Sequence, residues 1–206
     1  MRTIRWYFDF VSPFSYIALL RLPEVAADIE YRPVLFAGLL AHWGQKGPAE
    51  LPTKRLWTYR YCQWLADALD IPFRFPAQHP FNPLHHLRLA IAAGATPLVV
   101  RRIFEAIWTT GADAADATGF ESLCRELRIE PDALVAPAVK DALRANTEQA
   151  ARRGIFGVPT FEVGGELFWG VDGIDFLKAY LEDPAILQSD QMRRFATLPV
   201  GAQRKA

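Results

Sequence analysis

A chain of 206 residues suits one or two domains, and with 51% hydrophobic and 22% charged residues it can bury a sizeable core. Twenty-three Lys and Arg balance twenty-three Asp and Glu, which removes the electrostatic case for nucleic acid or an anionic membrane as partner. No apolar run approaches the roughly 20 residues of a membrane span, and a strand pattern starting within a few residues leaves no room for a signal peptide, so a cytoplasmic protein is expected.

In chain order, residues 3–10 are aromatic and β-branched with a single acid and predict a buried strand. Ser12-Pro13 then predicts a helix start: serine caps the free amides of the first turn, and proline suits the first helical position, where its missing N–H costs nothing. This helix is expected to run from Ser12 to about Asp28, with Ile29 to Phe36 as a second strand. Strand, helix and strand over about 35 residues make a βαβ unit with parallel strands. A long loop is expected from Gly38 to Pro52. Helical patterns follow at 53–69, 84–93, 97–109, 119–127 and 137–153. Prolines 72, 76, 80 and 83 impose an extended loop on residues 71–83. Strand character returns at 158–163 and 166–169 around Gly164-Gly165, a two-residue hairpin signal. Helices over 172–181 and 184–195 and a loose tail over 196–206 complete the pattern. The order is therefore βαβ, a helical block, then ββα.

Three separated pieces can carry chemistry. Ser12 places a hydroxyl where a strand meets a helix N-terminus, a position that favours negative charge. Val158-Pro159-Thr160 brings a proline into a strand, which implies an edge position or a cis peptide. Phe168-Trp169-Gly170-Val171-Asp172-Gly173 ends a strand and offers an acid near a helix start. Each alone has a purely structural reading as a cap or a strand boundary. Cys62 and Cys124 lie far apart outside any C-x-x-C and read as reduced packing residues. His79, His85 and His86 lack an accompanying Cys or acid cluster, so no metal is expected. There is no G-x-S-x-G around Ser12, no G-x-G-x-x-G and no P-loop.

Together the three pieces resemble the thioredoxin fold, and the helical block between the halves resembles its disulfide-oxidoreductase branch. That resemblance implies an α/β, thioredoxin-like βαβ…ββα domain built from residues 1–37 and 154–206, with residues 38–153 inserted as an all-helical subdomain. The branch starts its first helix at C-x-x-C, whereas this chain has Ser12, Pro13, Phe14 and Ser15, so dithiol exchange cannot occur here. Phe8-Asp9-Phe10-Val11-Ser12-Pro13-Phe14-Ser15-Tyr16, Phe156-Gly157-Val158-Pro159-Thr160-Phe161 and Phe168-Trp169-Gly170 closely resemble the 2-hydroxychromene-2-carboxylate isomerases, relatives of kappa-class glutathione transferases.

The resemblance implies glutathione as cofactor and a small aromatic substrate, in a reversible ring opening with cis–trans isomerisation. It implies that Ser12 is catalytic and contacts the glutathione sulfur, that the Val158 backbone before Pro159 pairs with the cysteinyl unit, and that Val171 and Asp172 hold the γ-glutamyl end. It also implies a possible homodimer. Phe14, Trp43, Trp57 and Tyr61 are candidate walls of an apolar slot, and the loop at Gln45-Lys46 and the segment His79-Pro80-Phe81-Asn82 are candidate polar contacts to a substrate carboxylate, Asn82 foremost in the latter. Two other readings stay open, a kappa-type transferase and a non-catalytic thioredoxin-like module in which Ser12 is only a cap.

Overall fold

A computed structural model of the chain describes residues 2–202; the last four residues of the expected tail lie outside them. Thr3–Phe8 forms β1, the strand on which the sheet is built. It pairs in parallel with β2 (Asp28–Pro33), Thr3 opposite Asp28 and Phe8 opposite Pro33. On its other side it pairs antiparallel with β3 (Thr160–Val163), which in turn pairs with β4 (Glu166–Trp169). The sheet order is β2-β1-β3-β4. Gly164 and Gly165 form the tight turn between the last two strands with φ of +61° and +88°, a backbone state that glycine enters without a Cβ penalty.

The first helix, α1 (Pro13–Arg21), is shorter than expected. Pro23 interrupts it, because proline supplies no amide to continue the ladder and its ring crowds the carbonyl one turn back, and Leu22–Glu24 becomes one 3₁₀ turn. The expected loop after β2 holds a helix instead, α2 (Phe36–Trp43), closed by Gly44 in the left-handed region at φ +62°. No side chain of its own segment caps its start. That service comes from far away: Asp9 Oδ2 accepts the Phe36 amide at 2.8 Å, and Thr147 Oγ1 accepts the Leu35 amide at 3.0 Å. Both contacts are invisible to a local reading. The anticipated boundary at residues 37/38 thus falls inside a helix.

The remaining helices follow the expected pattern within a few residues: α3 (Pro52–Ala68), α4 (Leu84–Ala92), α5 (Pro97–Trp108), α6 (Ala117–Glu126), α7 (Pro137–Arg152) and α8 (Gly173–Glu182). Residues 184–195 split into a 3₁₀ turn, Pro184–Gln188, and α9 (Asp190–Phe195). The helices between β2 and β3 share one core with the sheet. Trp6 stacks on Phe8 at 4.5 Å, and Phe104 of α5 meets Phe10 at 4.6 Å and Phe8 at 5.7 Å. Trp108 Nε1 donates to the Phe10 carbonyl at 3.0 Å, so the buried indole has its polar partner. Packing of this kind holds the end of β1 still, and the site lies at that end.

Candidate functional site

A cavity of about 780 Å³ opens beyond the C-terminal end of β1, where open α/β sheets place ligands. Its wall comes from the β1–α1 junction, α2 and the loop after it, α3, residues 79–83, and the segments 156–159 and 169–172. Ser12 sits in this wall as the N-cap of α1 and is 6% exposed. Its Oγ accepts the Ser15 amide at 3.2 Å. Because that bond uses a lone pair, the hydroxyl hydrogen stays free to be donated into the cavity.

The Val158–Pro159 peptide is cis, one of the two states expected for that proline. The Pro159 carbonyl accepts the Gly170 amide at 2.9 Å. Among the described residues the Val158 amide and carbonyl have no hydrogen-bond partner, so an extended backbone segment can pair with them. Asp172 precedes α8 without capping it by its side chain, borders the cavity, and among the described residues its carboxylate has no hydrogen-bond or ion-pair partner. Gly170 has φ +89°, and a Cβ there would run into Asp172 Oδ1. Arg21 Nη1 of α1 donates to the Val171 carbonyl at 3.1 Å and ties this segment to the Ser12 helix.

Of the other sequence candidates, Phe14, Gln45 and Lys46 line the cavity, as do Trp57 and Tyr61, whose rings stack at 4.9 Å. Trp57 is 61% exposed, so it borders the mouth. Two candidates fall elsewhere. Asn82 is outside the wall, its Oδ1 accepting the Leu84 amide at 3.1 Å at the start of α4. Trp43 is also outside, its Nε1 donating to the Ile155 carbonyl at 2.9 Å. Cys62 and Cys124 are free and buried, and burial pushes the Cys62 thiol up to about 12. Among the described residues there is no group of three or more His, Cys, Asp or Glu able to hold a metal, and no helix is long and apolar enough to cross a membrane.

Asp9 and Tyr59 line the cavity without having been assigned a role from the sequence, and His79, expected only as part of a polar segment, lines it as well. Asp9 is fully buried. Its Oδ1 accepts the Val11 amide at 3.1 Å while Oδ2 serves Phe36. Burial pushes its carboxyl up to about 7, against the pull of those amides. The sequence signal was a lone acid in an apolar strand. His79 Nε2 lies 2.8 Å from the Val11 carbonyl and Nδ1 lies 2.6 Å from the Tyr59 hydroxyl. Burial holds the imidazole below its ordinary pKa, and the Val11 carbonyl opposes that shift. The residue before Ser12 is thus gripped at its amide by an acid and at its carbonyl by a base.

Residues 3–182 match the family model for the DsbA-like thioredoxin domain. A 2-hydroxychromene-2-carboxylate isomerase of Sphingobium xenophagum is 32% identical over 194 residues, covering 88% of this chain and 99% of the relative. Human glutathione S-transferase kappa 1 is 26% identical over 203 residues, covering 85% and 89%. A solved 2-hydroxychromene-2-carboxylate isomerase superposes with a TM-score of 0.76 at 24% identity, over 96% of this chain and all of the other, which speaks for the fold.

Proposed function

Since the chain belongs to the DsbA-like thioredoxin family, among its 2-hydroxychromene-2-carboxylate isomerases, we propose that it is a glutathione-dependent isomerase of that type with Ser12 as the residue that stabilises the thiolate. The observation that carries this reading is Ser12 Oγ at the N-terminus of α1, accepting the Ser15 amide and so left with a hydrogen to donate, in the wall of a cavity large enough for a tripeptide and an aromatic ring. A hydroxyl donor and helix N-terminal amides favour an anion and lower a thiol pKa from about 8.5 towards neutrality. Serine cannot form a mixed disulfide, so its part is to hold a sulfur that a ligand brings.

The residues present fit that ligand. The unpartnered backbone of Val158 suits the cysteinyl unit, and the free carboxylate of Asp172 together with the amides after Val171 suits an ammonium and a carboxylate on one amino-acid end. When bound, glutathione supplies a nucleophilic thiolate whose reversible addition to a conjugated substrate frees the former double bond to rotate. Phe14, Tyr61 and Trp57 receive the aromatic body, and Gln45 and Lys46 meet its carboxylate. A site that depends on reduced glutathione suits the cytoplasm, where thiols are kept reduced.

The test is to supply 2-hydroxychromene-2-carboxylate with and without glutathione and to follow both product and free thiol. Conversion that requires glutathione and leaves the thiol titre unchanged fits the isomerase. Thiol lost one for one with substrate fits a kappa-type transferase instead. No conversion, or full turnover by Ser12→Ala, sinks the catalytic role of the hydroxyl.

A further inference from the structure

The hydrogen bonds around His79 do not balance for a neutral ring. Three contacts meet there: Nε2 to the Val11 carbonyl at 2.8 Å, Nδ1 to the Tyr59 hydroxyl at 2.6 Å, and that hydroxyl to the His79 carbonyl at 2.8 Å. Both carbonyls can only accept. Nε2 must therefore carry a hydrogen, and the single hydrogen of Tyr59 must choose between Nδ1 and the His79 carbonyl. Two hydrogens serve three contacts. A third hydrogen, on Nδ1, satisfies all of them at once, since an imidazolium donates from both nitrogens.

Tyr59, Trp108, Phe75 and Phe81 surround the ring, with centroids at 5.1, 5.5, 5.6 and 6.2 Å, so it is enclosed largely by aromatic side chains. Tyr59 is the only ionisable group among them. The other charged groups of the cavity wall, Lys46, Lys54, Glu50 and Asp172, cancel in sign. Asp9, on the β1 side, is wholly covered and has both oxygens occupied by amides, so nothing in the cavity can hand it a proton directly. Burial opposes a charged His79, and a negative charge bound in the cavity that Ser12 and His79 both line would offset that cost.

We propose that Tyr59 and His79 form the relay that accepts the thiol proton when glutathione binds, leaving an imidazolium as counter-charge to the sulfur anion at Ser12. This rests on the glutathione reading above. The S–H bond breaks as its proton joins the Tyr59 oxygen, while the Tyr59 hydrogen passes to His79 Nδ1. The hydroxyl then turns its new hydrogen to the His79 carbonyl. The cavity gains one negative and one positive charge, and the reverse transfer returns the proton when the thiol is released.

Histidine-¹⁵N NMR on the full chain at pH 7.5 tests this, with calorimetry reporting binding separately. The chain has four histidines, and the signals absent in His79→Gln identify the ring. The free protein should show one protonated nitrogen on His79, and glutathione saturation should protonate both. S-methylglutathione, which has no thiol proton to give, should leave the ring neutral. Tyr59→Phe should stay neutral even with glutathione bound, and His79→Gln should raise the bound-thiol pKa by about 1–3 units. Glutathione binding with His79 still neutral overturns the relay and leaves the thiolate reading standing, as does a ring that gains its proton without Tyr59. Failure of both ligands to bind overturns the glutathione reading and the relay with it.

Discussion

Replacing Asp9 by asparagine should reverse its effect on stability between acid and alkaline pH. The carboxyl is raised from an ordinary 3.8 to about 7 by burial, a shift of about 3 units at about 1.4 kcal/mol each, so ionising it in the fold costs ~4 kcal/mol. The native state holds this proton to higher pH than the unfolded state does. Stability therefore falls as pH rises from about 4 to about 7 and is level above that window. Asparagine removes the ionisation but can accept only one of the two amides, from Val11 or Phe36, and leaving the other unpaired costs about 1–3 kcal/mol. Asp9→Asn should thus be less stable than wild type by about 1–3 kcal/mol near pH 4 and more stable by a similar amount at pH 8. Urea denaturation of both proteins from pH 4 to 8.5 reads this directly, because taking the difference removes every other titrating group. A difference that stays constant across that range would refute the account of Asp9 as a buried acid without a counter-charge.

Other outcomes follow from the same geometry. Ser12→Ala should lose one capping bond and about 1 kcal/mol of stability, measured by the same denaturation, while remaining folded. Gly170→Ala should weaken glutathione binding in calorimetry, since a Cβ at φ +89° displaces the Asp172 carboxylate; unchanged affinity would remove Asp172 from the site. Trp57→Ala should raise the KM for an aromatic substrate, whereas Trp43→Phe should leave KM unchanged, because that indole serves the Ile155 carbonyl. Thiol reagents should modify Cys62 slowly in the native protein and both cysteines at once in denaturant; fast native labelling of Cys62 would contradict its burial.

Where local chemistry decides structure, the sequence was readable. Ser12-Pro13 announces α1 because capping is settled within four residues, and Gly164-Gly165 announces the hairpin because only glycine enters that turn freely. The prolines of 71–83 rule out a helix there by themselves. The largest failure comes from partners distant in sequence. Helix α2 depends on Asp9 and Thr147 for its first amides, so Phe36–Trp43 looks like loop until those residues are in place. Its own signal, Gly44 after an apolar run, marks an end without a beginning. Of the cavity wall, the places of Ser12, Phe14, Val158 and Asp172 were readable from motifs at strand and helix ends. Asn82 was misplaced because its short side chain turns back on the start of α4. His79 and Tyr59 acquire meaning only when the 71–83 loop is laid against Val11 and α3.

The central claim is that the hydroxyl at position 12 holds a borrowed sulfur as its anion, and ultraviolet titration of bound glutathione tests it most directly. Thiolate absorbance followed against pH should give wild type an apparent pKa well below the free value of about 8.5, and Ser12→Ala with glutathione still bound should return it close to that value. Equal curves for the two proteins would contradict the claim.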